Sequence, residues 1–181
     1  MLIGSTVYLT PIDIEHAETA RAWINDPEVN AWMLSGHIPV SREQERAWYT
    51  HVDSSDADHV FEIRTRDGDR YIGNCGLHKV DMVHRNGELG ILIGELDAQG
   101  KGHGSDAILT VLRYAFHTLG LHTVQINYIE GNERSKHLYA KLGFTVTGRC
   151  REHLYLRGRF HDLVLMDMTR AEYEALYGAI D

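Results

Sequence analysis

A buried strand followed by a glycine-rich loop and a helix is the feature that most constrains this chain. Residues 88–93 read Glu-Leu-Gly-Ile-Leu-Ile, a mostly continuous apolar run typical of a central strand covered on both faces. The loop Gln99-Gly100-Lys101-Gly102-His103-Gly104 follows, and apolar residues over 107–119 then recur at helical spacing. Glycines let a backbone approach a ligand closely, and free N–H groups at a helix start attract anions. The segment is therefore either a plain turn or an anion-binding loop.

Two common phosphate loops do not fit the spacing of this segment. A Walker loop needs four residues between its first glycine and Gly-Lys, followed by Ser or Thr, but five residues separate Gly94 from Gly100 and Lys101 precedes Gly102. A dinucleotide-binding fingerprint needs Gly-x-Gly-x-x-Gly and an acidic residue about 20 positions later. Here the glycines alternate strictly, and Leu-Gly-Leu occupies 119–121. Both alternatives are excluded.

The rest of the chain predicts an α+β fold with a mixed, mostly antiparallel sheet. Ser41 and Gln44 form a capping-box pattern at a helix start, and Asp67-Gly68-Asp69 is typical of a hairpin turn. No linker or repeat divides the sequence, so we expect one domain over residues 1–181. The predicted elements are strands at 7–11, 60–63, 71–72, 77–80, 88–93 and 124–129, helices after Asp13 and Ser41 and over 107–119 and 132–142, and a hairpin at 154–160.

Composition limits the partners and the compartment. The chain has 18 Lys and Arg against 26 Asp and Glu, a formal charge of −8, which argues against nucleic-acid binding and suits a cationic or amine partner. Cys75 and Cys150 lie far apart without a Cys-x-x-Cys pair, so we expect neither a disulfide framework nor a cysteine zinc site. A reducing cytosol is the expected location. The sequence shows no signal-peptide pattern and no apolar run long enough to span a membrane.

The histidines and Cys75 have ordinary interpretations. The chain has 12 histidines, but none shows a metal-ligand spacing such as His-Glu-x-x-His, so no metal is expected. Cys75 is interpreted as a small buried strand residue rather than a nucleophile. The histidines interpreted as surface or loop residues are His78, His84, His103 and His153, of which His103 could lie near a bound phosphate.

Two segments together resemble a known family. Gln-x-x-Gly-x-Gly after a strand resembles the acyl-CoA pyrophosphate loop of the GNAT N-acetyltransferase superfamily, and residues 132–144, Asn-Glu-Arg-Ser-Lys-His-Leu-Tyr-Ala-Lys-Leu-Gly-Phe, resemble its following helix. Residues 23–29, 85–90 and 158–162 are similar to the RimJ/RimL-type branch. The resemblance runs from about Val7 to Tyr173. The chain departs from the pattern before the loop, where Leu96 and Ala98 replace a common proline and aromatic residue.

The resemblance implies a sheet splayed between strands 88–93 and 124–129, with the pantetheine of acetyl-CoA in the gap. It implies transfer of an acetyl group to a primary amine, either a protein N-terminus or a small amine such as a polyamine or amino sugar. A catalytically idle acyl-CoA-binding domain is the alternative, and a homodimer is a further expectation. The residues expected to bind acetyl-CoA are Leu92, Ile93, Gln99, Gly100, Lys101, Gly102, His103, Gly104, Ser105, Asn132 and Ser135.

Catalysis by direct attack requires a neutral amine, which costs about 4.6 kcal/mol at pH 7 for a lysine-like amine but about 1 kcal/mol for an α-amine. Glu88 is the candidate base if desolvation in its apolar strand raises its pKa, and otherwise it is a structural residue. Tyr139 is the candidate acid for the leaving thiolate, with core packing as its alternative. Asn132 is also a natural helix N-cap. A backbone N–H near Leu92 or Ile93 would polarise the thioester oxygen.

The resemblance implies an acceptor pocket between residues 23–48 and the hairpin 154–162. Trp32 and Met33 are candidate lining residues, although core packing is the favoured role for them. Four arginines surround the last hairpin and would suit a phosphate-bearing amino sugar instead of a polyamine. These are Arg149, Arg151, Arg157 and Arg159.

Overall fold

The computed structural model describes residues 1–35 and 38–178. Eight strands form one sheet in the order β1-β2-β3-β4-β5-β6-β8-β7. The strands are β1 Leu2–Ile3, β2 Val7–Pro11, β3 His59–Thr65, β4 Tyr71–Asp81, β5 Asn86–Ile93, β6 Thr123–Ile129, β7 Thr145–Leu156 and β8 Arg159–Thr169. The helices are α1 Ala17–Asn25, α2 Arg42–Ser54, α3 His103–Arg113, α4 Glu133–Lys141 and α5 Arg170–Tyr177.

The sheet is antiparallel except between β5 and β6, which confirms the predicted mixed topology. These two strands pair at only three positions, the last being Glu88 with Gln125. Beyond Glu88, β5 keeps its pairing with β4 up to Ile93 while β6 pairs with β8. The predicted splay therefore lies between β5 and β6 and opens at Glu88.

Helices cover both faces of the sheet. The apolar stripe of α3 is fully buried in the main core. A π-helical turn over Tyr114–Thr118 continues this helix toward Gly120, which has positive φ. The helix was predicted to end at this glycine. α1 and α2 form a smaller cluster around Trp23 and Tyr49. Because side chains alternate along β5, residues 88, 90 and 92 face one side of the sheet and residues 89, 91 and 93 face the other.

Local sequence signals fix several element ends. Ser41 accepts a hydrogen bond from the backbone N–H of Gln44, whose side chain accepts one from the Ser41 N–H, so the predicted capping box is present. Arg157 and Gly158 both have positive φ, as a two-residue hairpin turn requires. Gly143 ends α4 at φ 94°, where a side chain would be strained.

The structure contains elements that the sequence analysis did not predict. α5 was missed, although Thr169 and Glu172 form a capping box at its start. The hairpin predicted at 154–160 is the tip of two long strands, and the first helix begins as a tight turn over Ile14–His16. β7 is an exposed edge strand, and its mostly polar pattern lacks the apolar alternation that identifies half-buried strands. No helix within residues 1–35 and 38–178 is long and apolar enough to cross a membrane.

Candidate active site

The candidate site is the gap between β5 and β6 together with the cavity on the face of β5 that carries residues 88, 90 and 92. Residues 89–93 of β5 have no strand partner on the gap side among the described residues. Their backbone groups there can pair with an extended ligand, except for the Ile93 carbonyl, which accepts from the Gln99 side chain. The cavity and the gap share β5. A molecule in one would therefore lie beside a molecule in the other.

Glu88 lies where the gap begins, but its surroundings are not the apolar ones expected. Oε2 accepts a hydrogen bond of 2.9 Å from Nζ of Lys79, and Oε1 accepts one of 2.9 Å from Nδ2 of Asn127 on β6. The side chain is 29% exposed. The carboxylate thus joins three neighbouring strands, which favours the structural role for Glu88 over the role of base.

The loop after β5 leads to a helix start without a side-chain cap. Gly100 and Gly102 have positive φ, and apart from their chain neighbours no atom of the described residues lies within 4 Å of where their Cβ atoms would be. Gly102 is the N-cap of α3, and the first helical hydrogen bond runs from the N–H of Asp106 to the Gly102 carbonyl. The backbone N–H groups of residues 103–105 come before this first helical hydrogen bond, so they have no hydrogen-bond partner within α3. This arrangement fits a pyrophosphate, since helix starts attract anions and open glycines permit close approach.

Gln99 uses its side chain to join the two sides of the gap. Nε2 donates to the carbonyl of Ile93 at 2.9 Å, and Oε1 accepts from Nη1 of Arg134 on α4 at 2.6 Å. His103 contacts Thr6 Oγ1 through Nδ1 at 3.2 Å, while Lys101 is exposed. The side chains of Gln99 and His103 thus have protein partners, whereas the loop glycines remain open.

α4 begins at Asn132, the N-cap that its sequence favoured. Its Oδ1 accepts from the N–H of Ser135 at 3.1 Å, and its Nδ2 donates to Ser135 Oγ at 2.9 Å. Tyr139 lies on the same helix face and is 7% exposed. Burial raises the pKa of the Tyr139 phenol, opposed in part by a hydrogen bond with Ser135. Tyr139 therefore keeps its proton at neutral pH.

A cavity of about 400 Å³ lies between the α1–α2 region and the sheet. Met33 lines it, whereas core packing was the favoured role for this residue. Trp32, for which core packing was also favoured, is 37% exposed and lies outside both the core and the cavity lining. Its ring packs against His161 and Arg157 of the last hairpin. The hairpin itself contributes no described lining residue. The lining residues are Ile24, Met33, Ser35, Val40, Gln44, Glu45, Trp48, Val60, Asn74, Cys75, Gly76, His78, Gly90, Ile91 and Leu92.

Glu45 is the most unusual residue of this cavity. Its side chain is buried, at 4% exposure, and Oε1 has no hydrogen-bond partner among the described residues. Burial raises the pKa of its carboxyl to about 7, with the charge of Arg21 acting in the opposite direction. Because a buried carboxylate without a partner is unfavourable, this group is suited to a cation that enters the cavity.

The sequence analysis missed Glu45 and misplaced His78. Glu45 shares the buried face of α2 with Tyr49 and Val52, so a carboxylate on an apolar helix face was the available signal. The interpretation of His78 as a surface or loop residue is wrong, because it lies in β4 and lines the cavity. Cys75 is buried in the same strand as expected, and burial raises the pKa of its thiol.

Two of the four arginines around the last hairpin contact other side chains of the protein. Arg149 is paired with Glu130 and with Asp162, the latter at 3.0 Å. Arg157 lies over the ring of Trp32, 5.9 Å from its centroid.

Within the described ranges no group of three or more His, Cys, Asp or Glu side chains is arranged to hold a metal ion.

Comparison with known proteins identifies similar chains. The family model described as an acetyltransferase (GNAT) domain matches residues 6–145. A putative ribosomal N-acetyltransferase of Bacillus subtilis is 36% identical over 102 residues, which are 56% of this chain and 55% of that protein. The spermidine N(1)-acetyltransferase of Escherichia coli is 26% identical over 171 residues, 94% of this chain and 89% of that protein. Spermidine N-acetyltransferase of Vibrio cholerae, solved with CoA and spermine, superposes with a TM-score of 0.85 at 23% identity, covering 93% of this chain and 98% of that one.

Proposed function

The chain belongs to the GNAT acetyltransferase family, and we propose that its acceptor is a small cationic primary amine bound in the cavity beside Glu45. It is an acetyl-CoA-dependent N-acetyltransferase that acts on an amine, as the family match and the named relatives show. The alternative of a catalytically idle domain has no support in these comparisons. Which amine it acetylates is the open part of the function.

Acetyl-CoA supplies the acetyl group as a reactive thioester. We propose that the N–H groups of residues 103–105 and the open loop at Gly100 and Gly102 hold its pyrophosphate. The unpaired edge of β5 at Leu92 and Ile93 would align the pantetheine by backbone hydrogen bonds. An N–H of this edge would also stabilise charge on the thioester oxygen. Asn132 and Ser135 complete the site by fixing the first turn of α4.

Tyr139 is proposed as the general acid. Its phenol is buried and protonated at neutral pH, so its hydroxyl can give a proton to the departing sulfur. Direct attack by the acceptor then needs no covalent bond to the protein.

The single observation that carries the choice of acceptor is Glu45 Oε1, which has no hydrogen-bond partner within residues 1–35 and 38–178 and belongs to a residue that lines a largely apolar cavity. An ammonium group would satisfy Oε1, while the aliphatic part of the amine would pack against the apolar walls. The cavity volume of about 400 Å³ suits a slender molecule. A phosphate-bearing amino sugar is disfavoured because none of the described residues that line the cavity is an arginine of the last hairpin, and Arg149 among these arginines is paired with two carboxylates.

A protein N-terminus is the second candidate acceptor. It is favoured by one observation, the 36% identity to a putative ribosomal N-acetyltransferase over 102 residues. An α-amine also needs less help to become neutral. A peptide would occupy the cavity with its first residues only.

The experiment is thiol release from acetyl-CoA measured against diamines, polyamines, amino sugars, aminoglycosides and N-terminal peptides. We expect a diamine or polyamine to give the highest kcat/KM, and Glu45→Gln to raise KM for that acceptor at least about tenfold without changing KM for acetyl-CoA. Glu43→Gln, an exposed neighbour on α2, is the matched control. A peptide as best acceptor, or equal KM in Glu45→Gln and wild type, would refute the assignment.

Three further expectations stay predictions. One domain is proposed for the whole chain, because β8 and α5 lie beyond the matched residues and complete the sheet and the core around Tyr173. Light scattering would test the expected homodimer. Cell fractionation would test the cytosolic location expected from the cysteines.

A further inference from the structure

A histidine and an aspartate form a hydrogen-bonded pair at the wall of the cavity. Nδ1 of His78 on β4 lies 2.9 Å from Oδ1 of Asp58, in the segment between α2 and β3. The imidazole is 32% exposed and the carboxyl 17% exposed. The acid role assigned to Tyr139 and the cation-binding role assigned to Glu45 make no use of this pair.

The hydrogen bond fixes which nitrogen of His78 is available. Burial by itself raises the pKa of Asp58, but hydrogen bonds from Ser55 and His78 outweigh burial and hold that pKa below its ordinary value. Asp58 is therefore ionised at neutral pH and can only accept a hydrogen bond. Neutral His78 must then carry its proton on Nδ1, which leaves the lone pair of Nε2 free to accept another proton.

Nε2 faces the strand that borders both the gap and the cavity. A Cβ atom on Gly90 would lie 3.3 Å from Cδ2 and 3.4 Å from Nε2 of His78, so the ring lies directly over this glycine. Gly90 and Leu92 share that face of β5 and line the cavity with His78. The absence of a side chain at Gly90 thus leaves room for the imidazole beside the backbone that we assigned to the thioester.

We propose that His78 is the general base of the acetyl transfer and that Asp58 is its positioning residue; this inference rests on the proposed function of the cavity. As the acceptor nitrogen forms its bond to the acetyl carbon, the carbon–sulfur bond breaks. The proton lost by the nitrogen moves to Nε2 of His78, and the leaving sulfur takes the proton of the Tyr139 hydroxyl. Solvent then removes the proton from His78 and returns one to Tyr139, so the protein is unchanged after each cycle.

Other titratable groups around His78 are engaged elsewhere or lie across the cavity. Glu88 is the cross-strand partner of His78, but both of its oxygens accept hydrogen bonds. His51 lies on the far side of Asp58, with 3.7 Å between Nε2 and Oδ2, and is 70% exposed. The charged and titratable groups facing the pair are Glu45 and His51 from α2, Lys79 from β4 and Glu88 from β5.

The test is the pH dependence of kcat in wild type, His78→Gln, His78→Ala and Asp58→Asn, with the best acceptor of the panel. His84→Gln, an exposed turn residue, is the control. We expect His78→Gln to lose about 10²-fold in kcat or more, to keep its KM for acetyl-CoA, and to lose the acidic limb of the profile. Added imidazole should restore part of the activity of His78→Ala, and Asp58→Asn should move the acidic limb.

Nitrogen NMR of the wild-type protein provides a measurement independent of variants. It should show His78 with the proton on Nδ1, and the opposite tautomer would overturn the proposal even if no variant folds. Wild-type kcat in His78→Gln, or a loss equal at every pH without rescue by imidazole, would overturn it as well. Absence of turnover by the wild-type chain with every amine would refute the proposed function and this role together. Turnover that is equal in wild type and His78→Gln refutes only the role of His78.

Discussion

Nδ2 of Asn127 donates a hydrogen bond of 2.9 Å to Oε1 of Glu88, at the point where β5 and β6 separate. Gln99 and Arg134 make a second side-chain bond of 2.6 Å between the elements that follow these two strands. The gap is thus bridged at its closed end and again where β5 and β6 lead into α3 and α4. These two bonds hold the width of the space into which a pantetheine would fit.

Glu88→Gln separates the structural role of this residue from the role of base. The amide oxygen can still accept from Asn127, so only the ion pair with the 80% exposed Lys79 is lost. We expect unfolding free energy to fall by about 1 kcal/mol or less, with the pH profile of kcat unchanged. Urea unfolding measures the change in unfolding free energy, and steady-state kinetics measure the pH profile of kcat. A loss of about 10²-fold with disappearance of the acidic limb would identify Glu88 as the base instead.

Tyr139→Phe removes the hydroxyl proposed to protonate the leaving sulfur. We expect kcat to fall about 10²-fold or more while the affinity for acetyl-CoA stays nearly the same, because the ring still packs in the core. Tyr173→Phe is the matched control, since Tyr173 is equally buried but packs against Phe116 on another part of the core. If Tyr139→Phe and Tyr173→Phe have the same kcat, Tyr139 is a packing residue.

Gly104→Val tests the anion site at the start of α3. A Cβ at Gly104 would lie 3.8 Å from Ile91 and Ile93, which is ordinary contact, so the described protein atoms leave room for a Cβ there. A branched side chain would instead obstruct the pyrophosphate. Wild-type protein should gain about 2.7 kcal/mol of stability when CoA is at 100 times its Kd, and Gly104→Val should lose this gain.

Gly148→Val is the control for that measurement. Its Cβ would lie 3.7 Å from Leu165 on β8, again ordinary contact, at a site in β7 rather than in the loop. CoA should stabilise this variant as it does the wild type. Equal stabilisation of Gly104→Val would place the pyrophosphate elsewhere.

Glu45 makes the stability of the protein depend on pH. An unfolded chain releases this proton near its ordinary pKa of 4.5, whereas the folded chain holds it to about pH 7. Between these values only the folded state binds the proton, so the contribution of Glu45 to stability decreases as pH rises. Glu45→Gln mimics the neutral acid, and should therefore change stability little at pH 5 but increase it by roughly 3 kcal/mol at pH 8.

Thermal and denaturant unfolding at pH 5 and pH 8 measure this difference. Glu43→Gln, on the exposed side of the same helix, should show no such dependence. A destabilised Glu45→Gln at pH 8 would mean that the carboxylate has a partner in the folded protein. Glu45→Gln should also weaken binding of the acceptor. The gain in stability at pH 8 and the loss of acceptor affinity would then both result from removing the Glu45 carboxylate.

Much of the site was predictable because its parts are local in sequence. The buried strand, the alternating glycines and the first turn of α3 are consecutive, so residues 88–105 specify the order of strand, loop and helix without tertiary information. Asn132 likewise caps a helix through atoms only three residues away, as the spacing to Ser135 indicated. β7 and α5 were harder, because an exposed edge strand and a short final helix lack a long apolar pattern.

The sequence by itself determined the mixed fold and the glycine loop, since periodicity and spacing act through near neighbours along the chain. Tyr139 became the candidate acid through the resemblance of residues 132–144 to a helix of a known family. Only the tertiary structure decided the electrostatics of the cavity. It paired Glu88 with Lys79 and Asn127, and it set His78 against Asp58. It also buried Glu45 with no hydrogen-bond partner for Oε1 in the described part of the chain. A carboxylate or imidazole takes its charge state from groups that are close in space. The pairing of β4, β5 and β6, and the position of α2 across the cavity from β4 and β5, bring those groups together.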